Sequence, residues 1–468
     1  MPHFLIEMTQ TIHRKLNESS AARWTVLFIV SVVMMMGYVV AKEMSPLQYF
    51  LELPQSEGGL GWSSSEFGLF IGSRGFFNVY LLMLFISGVI LDKTGVRFAG
   101  MLSCILMFVG TAIDYYAIAI ASPIPTCEIT FPLLGLDHAI IKEQVVISAL
   151  GFAIFGIGYE LCGITVSKVI VKWFSGKEMA LAMGIQVALA RLGTALALLG
   201  GPFLAKYYHL STPILVGLLS VGIAVVFYLL FCSMDHKFDR NTGARVEANQ
   251  SEEKFSFKGL LLTLRSPGFW MITLLCMLYY SALYPFLDFA SKLMITKYGV
   301  SPEWAGGISS ILPFTSIILT PLFGGIYDRV GKGAGIMILG TAMLTVVLMV
   351  FALPLNSTIL ALVLMFILGV AFSLLPSVLW PAVPKIVPEQ QLGTAYSIIY
   401  YIQNIGLMLV PIIIGNVLDH SKVDNAVDYT PAMWIFTVIG GLAIVVSVVL
   451  LILDKKYHYG LQDANVKE

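Results

Sequence analysis

The sequence predicts an all-α polytopic membrane protein, with twelve transmembrane helices in two six-helix bundles. Three observations carry that expectation. Of the 468 residues, 57% are apolar and only 12% are charged, about half the charge of a typical soluble domain. Twelve apolar runs are long enough to cross roughly 30 Å of hydrocarbon, six on each side of a polar stretch at 233–267. The segment Gly88-Val-Ile-Leu-Asp-Lys-Thr-Gly95 also returns as Gly324-Gly-Ile-Tyr-Asp-Arg-Val-Gly331, with Asp92 on Asp328 and Lys93 on Arg329. Such repetition marks bodies built from two related bundles around a central pathway.

The first six runs fall near 24–50, 66–91, 98–120, 144–169, 178–205 and 211–232. The second six fall near 268–292, 304–327, 335–355, 358–384, 390–418 and 432–453. The chain therefore divides into an N-terminal tail (1–23), an N-terminal bundle (24–232), a linker (233–267), a C-terminal bundle (268–453) and a C-terminal tail (454–468). Residues 121–143 form a long loop whose structure is not readable from its composition. Of the 28 Lys and Arg, twenty fall on the side of the termini and linker and five on the other side. By the positive-inside bias, both tails and the linker are expected in the cytoplasm.

Lys plus Arg equals Asp plus Glu, so net charge points to no nucleic-acid or acidic partner. The five cysteines are scattered and the histidines avoid the predicted spans, so no disulfide framework, metal site or histidine relay is expected. No nucleotide-binding Gly-rich loop is present, so ATP is not expected to drive the protein. No cofactor is expected, and no nucleophile–base constellation suggests an enzyme. The N-terminus shows no short cleavable signal pattern.

The doubled Gly-x-x-x-Asp-(Lys/Arg)-x-Gly lies on the linker-side turns after helices 2 and 8. Glycine permits a tight turn and close helix approach, and an Asp at a helix end can meet the positive end of a neighbouring helix. Asp92, Lys93, Arg97, Asp328 and Arg329 are accordingly expected to act as a gate, with the cations pairing across the two bundles.

Twelve helices, a mid-chain linker and this doubled turn resemble the major facilitator superfamily. Trp173-Phe-Ser-Gly-Lys-Glu178 and Ala190-Arg191-Leu-Gly193 are similar to the branch typified by that superfamily's domain-containing protein 1. So are Leu379-Trp-Pro381, Val387-Pro-Glu-Gln-Gln-Leu-Gly-Thr-Ala-Tyr396 and Gln403-Asn-Ile-Gly406. The resemblance covers helices 4–5 and 10–11, is thin in helices 1–3, and finds no counterpart for 121–143. It implies dipeptide transport across a membrane, in animals at the lysosome with a glycosylated partner subunit. A single-pass accessory subunit therefore follows only if the chain is eukaryotic; otherwise a monomer in a lipid bilayer is expected. The resemblance also implies substrate-binding roles for Glu160 and Arg191.

The charges inside the spans point the same way, since they are costly there and usually face a cavity or one another. At about 1.5 Å per residue, Glu160 and Arg191 both sit near the midplane, where transporters of this build hold substrate. A dipeptide's ammonium and carboxylate lie about 6–7 Å apart. Glu160 could accept from the ammonium while Arg191 clasps the carboxylate. Alternatively, the two side chains pair with each other to satisfy their burial. Arg74 on helix 2 departs from the family pattern. If it faces the cavity, the local charge becomes positive and favours anionic ligands or dipeptides with an acidic side chain; the alternative is snorkelling outward. Asn78, one turn on, can share its face. Lys42, Glu43, Asp114, Asp288 and Lys292 read as outer-gate or rim charges.

The second half offers Trp380, Tyr396, Tyr400, Tyr401, Gln403 and Asn404, with Tyr279 and Tyr280 on helix 7, as cavity-lining or packing residues. Pro285, Pro313, Pro321, Pro376, Pro381 and Pro411 mark helices able to kink.

The leading expectation is a secondary transporter of dipeptides or similar zwitterions, as a uniporter or proton-coupled. The rival is an exchanger of organic anions, of oxalate or monocarboxylate type, clamped by Arg191 and Arg74. One external sequon, Asn356-Ser-Thr, and no acidic dileucine signal favour a cell inner or plasma membrane, with the lysosomal membrane as alternative.

Overall fold

The computed structural model describes residues 19–131, 136–174, 178–242, 263–388, 391–423 and 426–464. Helix α1 (Ser20–Glu43) opens where the Ser19 hydroxyl accepts the Ala22 amide, an ordinary N-cap. A 3₁₀ turn (Ser45–Leu47) and a short α2 (Gln48–Glu52) then cross the surface opposite the linker, called the far side below.

Crossing two is not the continuous helix predicted over 66–91. Ser63 and Glu66 form a capping box that starts α3 (Ser64–Ser73), and the helix stops at Arg74. A short α4 (Phe76–Tyr80) follows, then Leu82 at φ 53°, then α5 (Met83–Ala119). Packing gives the reason for so many glycines here. A Cβ on Gly68 or Gly72 would fall 2.3 Å from the Pro411 carbonyl oxygen or 2.5 Å from that of Met408. Bare backbone therefore lets this segment press directly on the helix that carries those residues, at the expense of helix propensity.

Within α5, Gly95 at φ 79° bends the chain between crossings two and three. Its counterpart Gly331 takes φ 70°. Both repeat glycines thus occupy backbone that other residues rarely adopt, and the predicted tight turns are present. The first glycine of each copy behaves otherwise: nothing stands within 4 Å of a Cβ on Gly88 or Gly324, so neither marks a close approach.

The unread loop is a β-hairpin, β1 (Thr126–Phe131) against β2 (Leu136–Lys142), antiparallel with Cys127 opposite Ile141. Lys142 anchors it, giving its amide and its ammonium to Glu66 at 2.9 and 2.8 Å. Then follow α6 (Glu143–Phe174), α7 (Met179–Tyr207) and α8 (Thr212–Thr242). The second half holds α9 (Pro267–Tyr298), α10 (Pro302–Val330), α11 (Gly333–Ala352), α12 (Thr358–Ile386), α13 (Leu392–His420) and α14 (Thr430–Tyr457). A two-residue strand pair, β3 (Lys422–Val423) and β4 (Ala426–Val427), joins the last two helices.

Among the described residues, eleven helical stretches are long and apolar enough to cross a membrane. The broken segment from Ser64 into α5 supplies the twelfth crossing, six in each half. The halves meet along α3 against α13 and along α7 against α10, where a Cβ on Gly306 would fall 2.0 Å from the Leu198 carbonyl oxygen.

Two predicted boundaries move. Residues 233–242, read as linker, continue α8, because Asp235 and Asp239 on that extension are held. Buried Asp235 accepts from Lys172 at 2.8 Å and from the Trp173 indole at 3.0 Å, while Arg97 and Lys172 pair with Asp239 at 3.2 and 2.7 Å. The C-terminal tail also folds back: the Leu461 and Gln462 carbonyls accept the Gly333 and Lys332 amides, capping the start of α11. The central part of the predicted linker, 243–262, lies outside the described residues.

Candidate functional site

The charged residues predicted at mid-depth gather where the two halves face each other. Glu160 lies 14 residues before the end of α6 and Arg191 12 residues into α7, about 21 and 18 Å from the same side. Gly156, one turn before Glu160, fixes what lies beside it. A Cβ there would fall 2.1 Å from the Arg74 carbonyl oxygen and 3.1 Å from Arg74 Cγ. The bare glycine lets the break in crossing two lie against α6 and brings the Arg74 guanidinium to 5.5 Å from the Tyr159 ring centroid. Arg74 does not snorkel away. It is the charged neighbour of Glu160, and Asn404 of α13, which donates to the Tyr400 carbonyl at 3.0 Å, approaches the Glu160 carboxylate from the other half.

Glu160 and Arg191 form no ion pair with each other in this conformation. The second half takes the guanidinium instead. Arg191 Nη1 donates to the Tyr284 hydroxyl at 2.7 Å, and the group lies 4.1 Å from the Phe372 ring centroid. Tyr38 of α1 packs edge-on against Tyr159, ring centroids 5.2 Å apart, beside the centre.

Facing these charges is an aromatic column. Tyr284 stacks on Tyr280 at 5.5 Å and 13°. The Trp380 indole donates to the Tyr280 hydroxyl at 3.3 Å, and Trp380 stacks on Tyr400 at 5.0 Å and 26°. The charges thus come from the first half and the aromatic wall from the second. Tyr284 was missed in the sequence. Its signal was available: it lies one helical turn beyond Tyr280, directly before Pro285.

Several predicted lining residues do other work. Tyr279 is fully buried and donates to the Ala371 carbonyl at 2.6 Å, tying α9 to α12. Asn78 is buried against α6, donating to the Gly156 carbonyl at 3.3 Å, so its amide packs two helices rather than sharing the Arg74 face. Gln403 accepts from Cys276 Sγ at 3.6 Å inside the second half. Tyr396 donates to the Trp380 carbonyl at 3.3 Å and supports that indole. Trp380 and Asn404 belong to the centre.

Above the centre, the far side is closed by ion pairs between the halves. Lys42 of α1 pairs with Asp288 of α9, which also accepts from Ser45 at 2.5 Å. Lys292 pairs with Glu52 and donates to Ser64, Lys206 pairs with Glu303 at 2.7 Å, and Asp419 accepts the Ser64 and Ser65 amides at 3.1 and 2.7 Å. Lys42 also rides 5.3 Å from the centroid of the Tyr284 ring, so gate and centre share that tyrosine. Glu43 and Asp114, read as rim charges, are instead buried inside the first half. Glu43 packs on Gly217, and Asp114 accepts from Ser148.

On the linker side, Asp92 and Arg97 pair within their own half rather than across the bundles. Asp92 binds Lys168 at 2.6 Å and Arg97 binds Asp235 and Asp239, all within the first half. Lys93, Asp328 and Arg329 are exposed. The ion pairs that join the halves through Lys42, Lys206 and Lys292 all stand on the far side. An apolar groove of about 300 Å³ between Phe76, Leu150 and Met408 lies apart from the centre and has no charged group in its lining.

The Gly156 contact gives a direct test. Gly156→Ala is expected to lower the melting temperature of the purified protein, since overpacking against backbone costs about 1–3 kcal/mol. An unchanged melting temperature would mean that crossing two does not lie against α6.

Comparison with known proteins gives the following. The profile of the Major Facilitator Superfamily matches residues 19–411. The chain is 30% identical over 312 residues to the lysosomal dipeptide transporter MFSD1 of Homo sapiens, covering 62% of each protein. The match thus spans less than two thirds of that relative's length. Among solved structures, a peptide transporter POT in complex with sulfate matches with TM-score 0.64 at 15% identity, covering 93% of this chain and 95% of the other. The nucleoside transporter NupG matches with TM-score 0.64 at 14% identity, covering 92% and 99%.

Proposed function

Because the chain belongs to the major facilitator superfamily, we propose that it carries dipeptides across a membrane by alternating access, as a uniporter or coupled to protons. The observation that carries this reading is the placement of Glu160 and Arg191 at similar depth, unpaired with each other, opposite an aromatic wall. Glu160 and Asn404 take the ammonium, Arg191 takes the carboxylate, and Tyr280, Tyr284 and Trp380 bound the side chains. The chain's similarity to MFSD1 supports the substrate class.

The far-side ion pairs fit a carrier closed on that side. Asp92, Lys93, Arg97, Asp328 and Arg329 would meet across the halves only when the linker side closes. The positive-inside bias supports cytoplasmic tails and a cytoplasmic linker. A monomer in a cell inner or plasma membrane is the proposed setting, with a lysosomal membrane as alternative.

The presence of two guanidiniums, Arg74 and Arg191, in one centre favours a second reading, exchange of small organic anions. Uptake of labelled Ala-Ala into proteoliposomes, with and without an imposed pH gradient, decides between them. Saturable uptake is expected, and an initial rate that ignores the gradient marks a uniporter. Exchange of oxalate with no dipeptide uptake would replace the first reading by the second.

A further inference from the structure

We infer that the centre selects dipeptides whose first residue carries an acidic side chain, and that Arg74 is the residue that selects them. The inference rests on the dipeptide reading and deepens it. Two guanidiniums, Arg74 beside Glu160 and Arg191 against Tyr284 and Phe372, share the centre with one carboxylate, Glu160, and neither guanidinium is in an ion pair with a described residue. The remaining cation nearby, Lys42, is already satisfied by Asp288. The centre therefore carries one unmatched positive charge, which is costly at this depth.

Position decides which end of the substrate answers it. Arg74 lies beside Tyr159 and Glu160, the end assigned to the ammonium. Arg191 lies on the Tyr284 and Phe372 side, the end assigned to the terminal carboxylate. When an ammonium reaches Glu160 it neutralises the charge that Arg74 faces in the empty site. Arg74 is then free for a second carboxylate, and the side chain that leaves from the same α-carbon as the ammonium is the nearest source. With Glu-Ala bound, all three protein charges have a partner. With Ala-Ala, Arg74 is left without one. With Ala-Glu, the second carboxylate starts from the Arg191 end. The guanidinium suits the task, because its planar fork grips a carboxylate through two hydrogen bonds.

The test is competition for uptake by the full-length protein in proteoliposomes held at zero membrane potential, using Glu-Ala, Ala-Glu, Ala-Ala and Lys-Ala. Glu-Ala and Ala-Glu have the same charge and composition, so any difference between them reports position alone. Glu-Ala is expected to compete about tenfold better than Ala-Glu, a difference of about 1.4 kcal/mol, and Lys-Ala to compete worst. Arg74→Gln is expected to bring the Glu-Ala to Ala-Glu ratio to about one, and Arg74→Lys to keep most of it. The ratio is the readout, so a lower absolute rate in either variant does not obscure it. If Arg74→Gln does not fold, the wild-type ranking alone decides. Equal competition by the two isomers, or a ratio unchanged in Arg74→Gln, overturns the inference and leaves the dipeptide reading standing. No competition by any of the four overturns both.

Discussion

Glu160→Gln is expected to reduce dipeptide uptake by about 100-fold or more while the protein remains folded. The substitution keeps the volume of the side chain beside Asn404 but removes the charge proposed to meet the substrate ammonium. Losing one partner of a desolvated, hydrogen-bonded charge pair costs about 2–5 kcal/mol, and each 1.4 kcal/mol is about tenfold. Some loss of melting temperature is expected beside it, since Arg74 then faces no carboxylate in the empty site. Arg191→Gln is expected to lose as much uptake. It also takes the donor from the Tyr284 hydroxyl, so a small drop in melting temperature should accompany it. Arg191→Lys is not a rescue, because a point charge cannot reproduce the two-pronged grip. Uptake of Ala-Ala into proteoliposomes beside a melting curve of each variant separates the effects. Wild-type uptake by Glu160→Gln would remove that residue from the binding site.

Asp288→Asn is expected to have the largest conformational effect. Lys42 is 3% exposed and Asp288 4%, and they join α1 to α9 across the halves. Breaking a buried pair by removing one partner costs about 3–5 kcal/mol, because the other charge stays in place unanswered. Lys42 recovers water only if the far side opens. The variant should therefore spend more time open on that side. A cysteine in place of Gln48, which is fully buried there, reads this out through its rate of reaction with a membrane-impermeant thiol reagent in a background without the native cysteines. The rate is expected to rise about tenfold or more in Asp288→Asn. Exchanging the two charges, Lys42→Asp with Asp288→Lys, should bring it back toward the starting value. A rate that does not respond to Asp288→Asn would show that this pair does not hold the far side shut.

Much of the architecture was legible because hydrophobic length and repetition are local properties of the chain. The apolar runs located eleven of the crossings, though α8 and α9 continue ten and six residues past the predicted ends, and the doubled motif gave Gly95 and Gly331 their turns. Crossing two escaped because its composition is as apolar as its neighbours'. The break at Arg74 belongs to contacts with α6 and α13, which no window along the sequence contains. The hairpin escaped because what anchors it, Glu66, lies far away in the chain. In the centre, Glu160 and Arg191 announced themselves by the cost of burying a charge. Their actual neighbours, Arg74 for one and Tyr284 for the other, were set by how the two halves face each other. The same limit explains Tyr279 and Gln403: a polar group on an apolar helix signals that something needs a partner, and the sequence does not say whether that partner is a ligand or the next helix.

The arrangement of charges on the first half and stacked rings on the second has a consequence for how such a carrier can diversify. Ring faces accept many shapes without demanding a direction, so on the proposed reading changes in the Tyr280–Trp380–Tyr400 column would alter which side chains fit while leaving the grip on the two ends intact. Changes among Arg74, Glu160 and Arg191 do the reverse and alter what counts as an end. On that reading, most of what sets the breadth of cargo and most of what sets its kind are inherited on separate halves of the chain, with Tyr284 and Asn404 as the links between them.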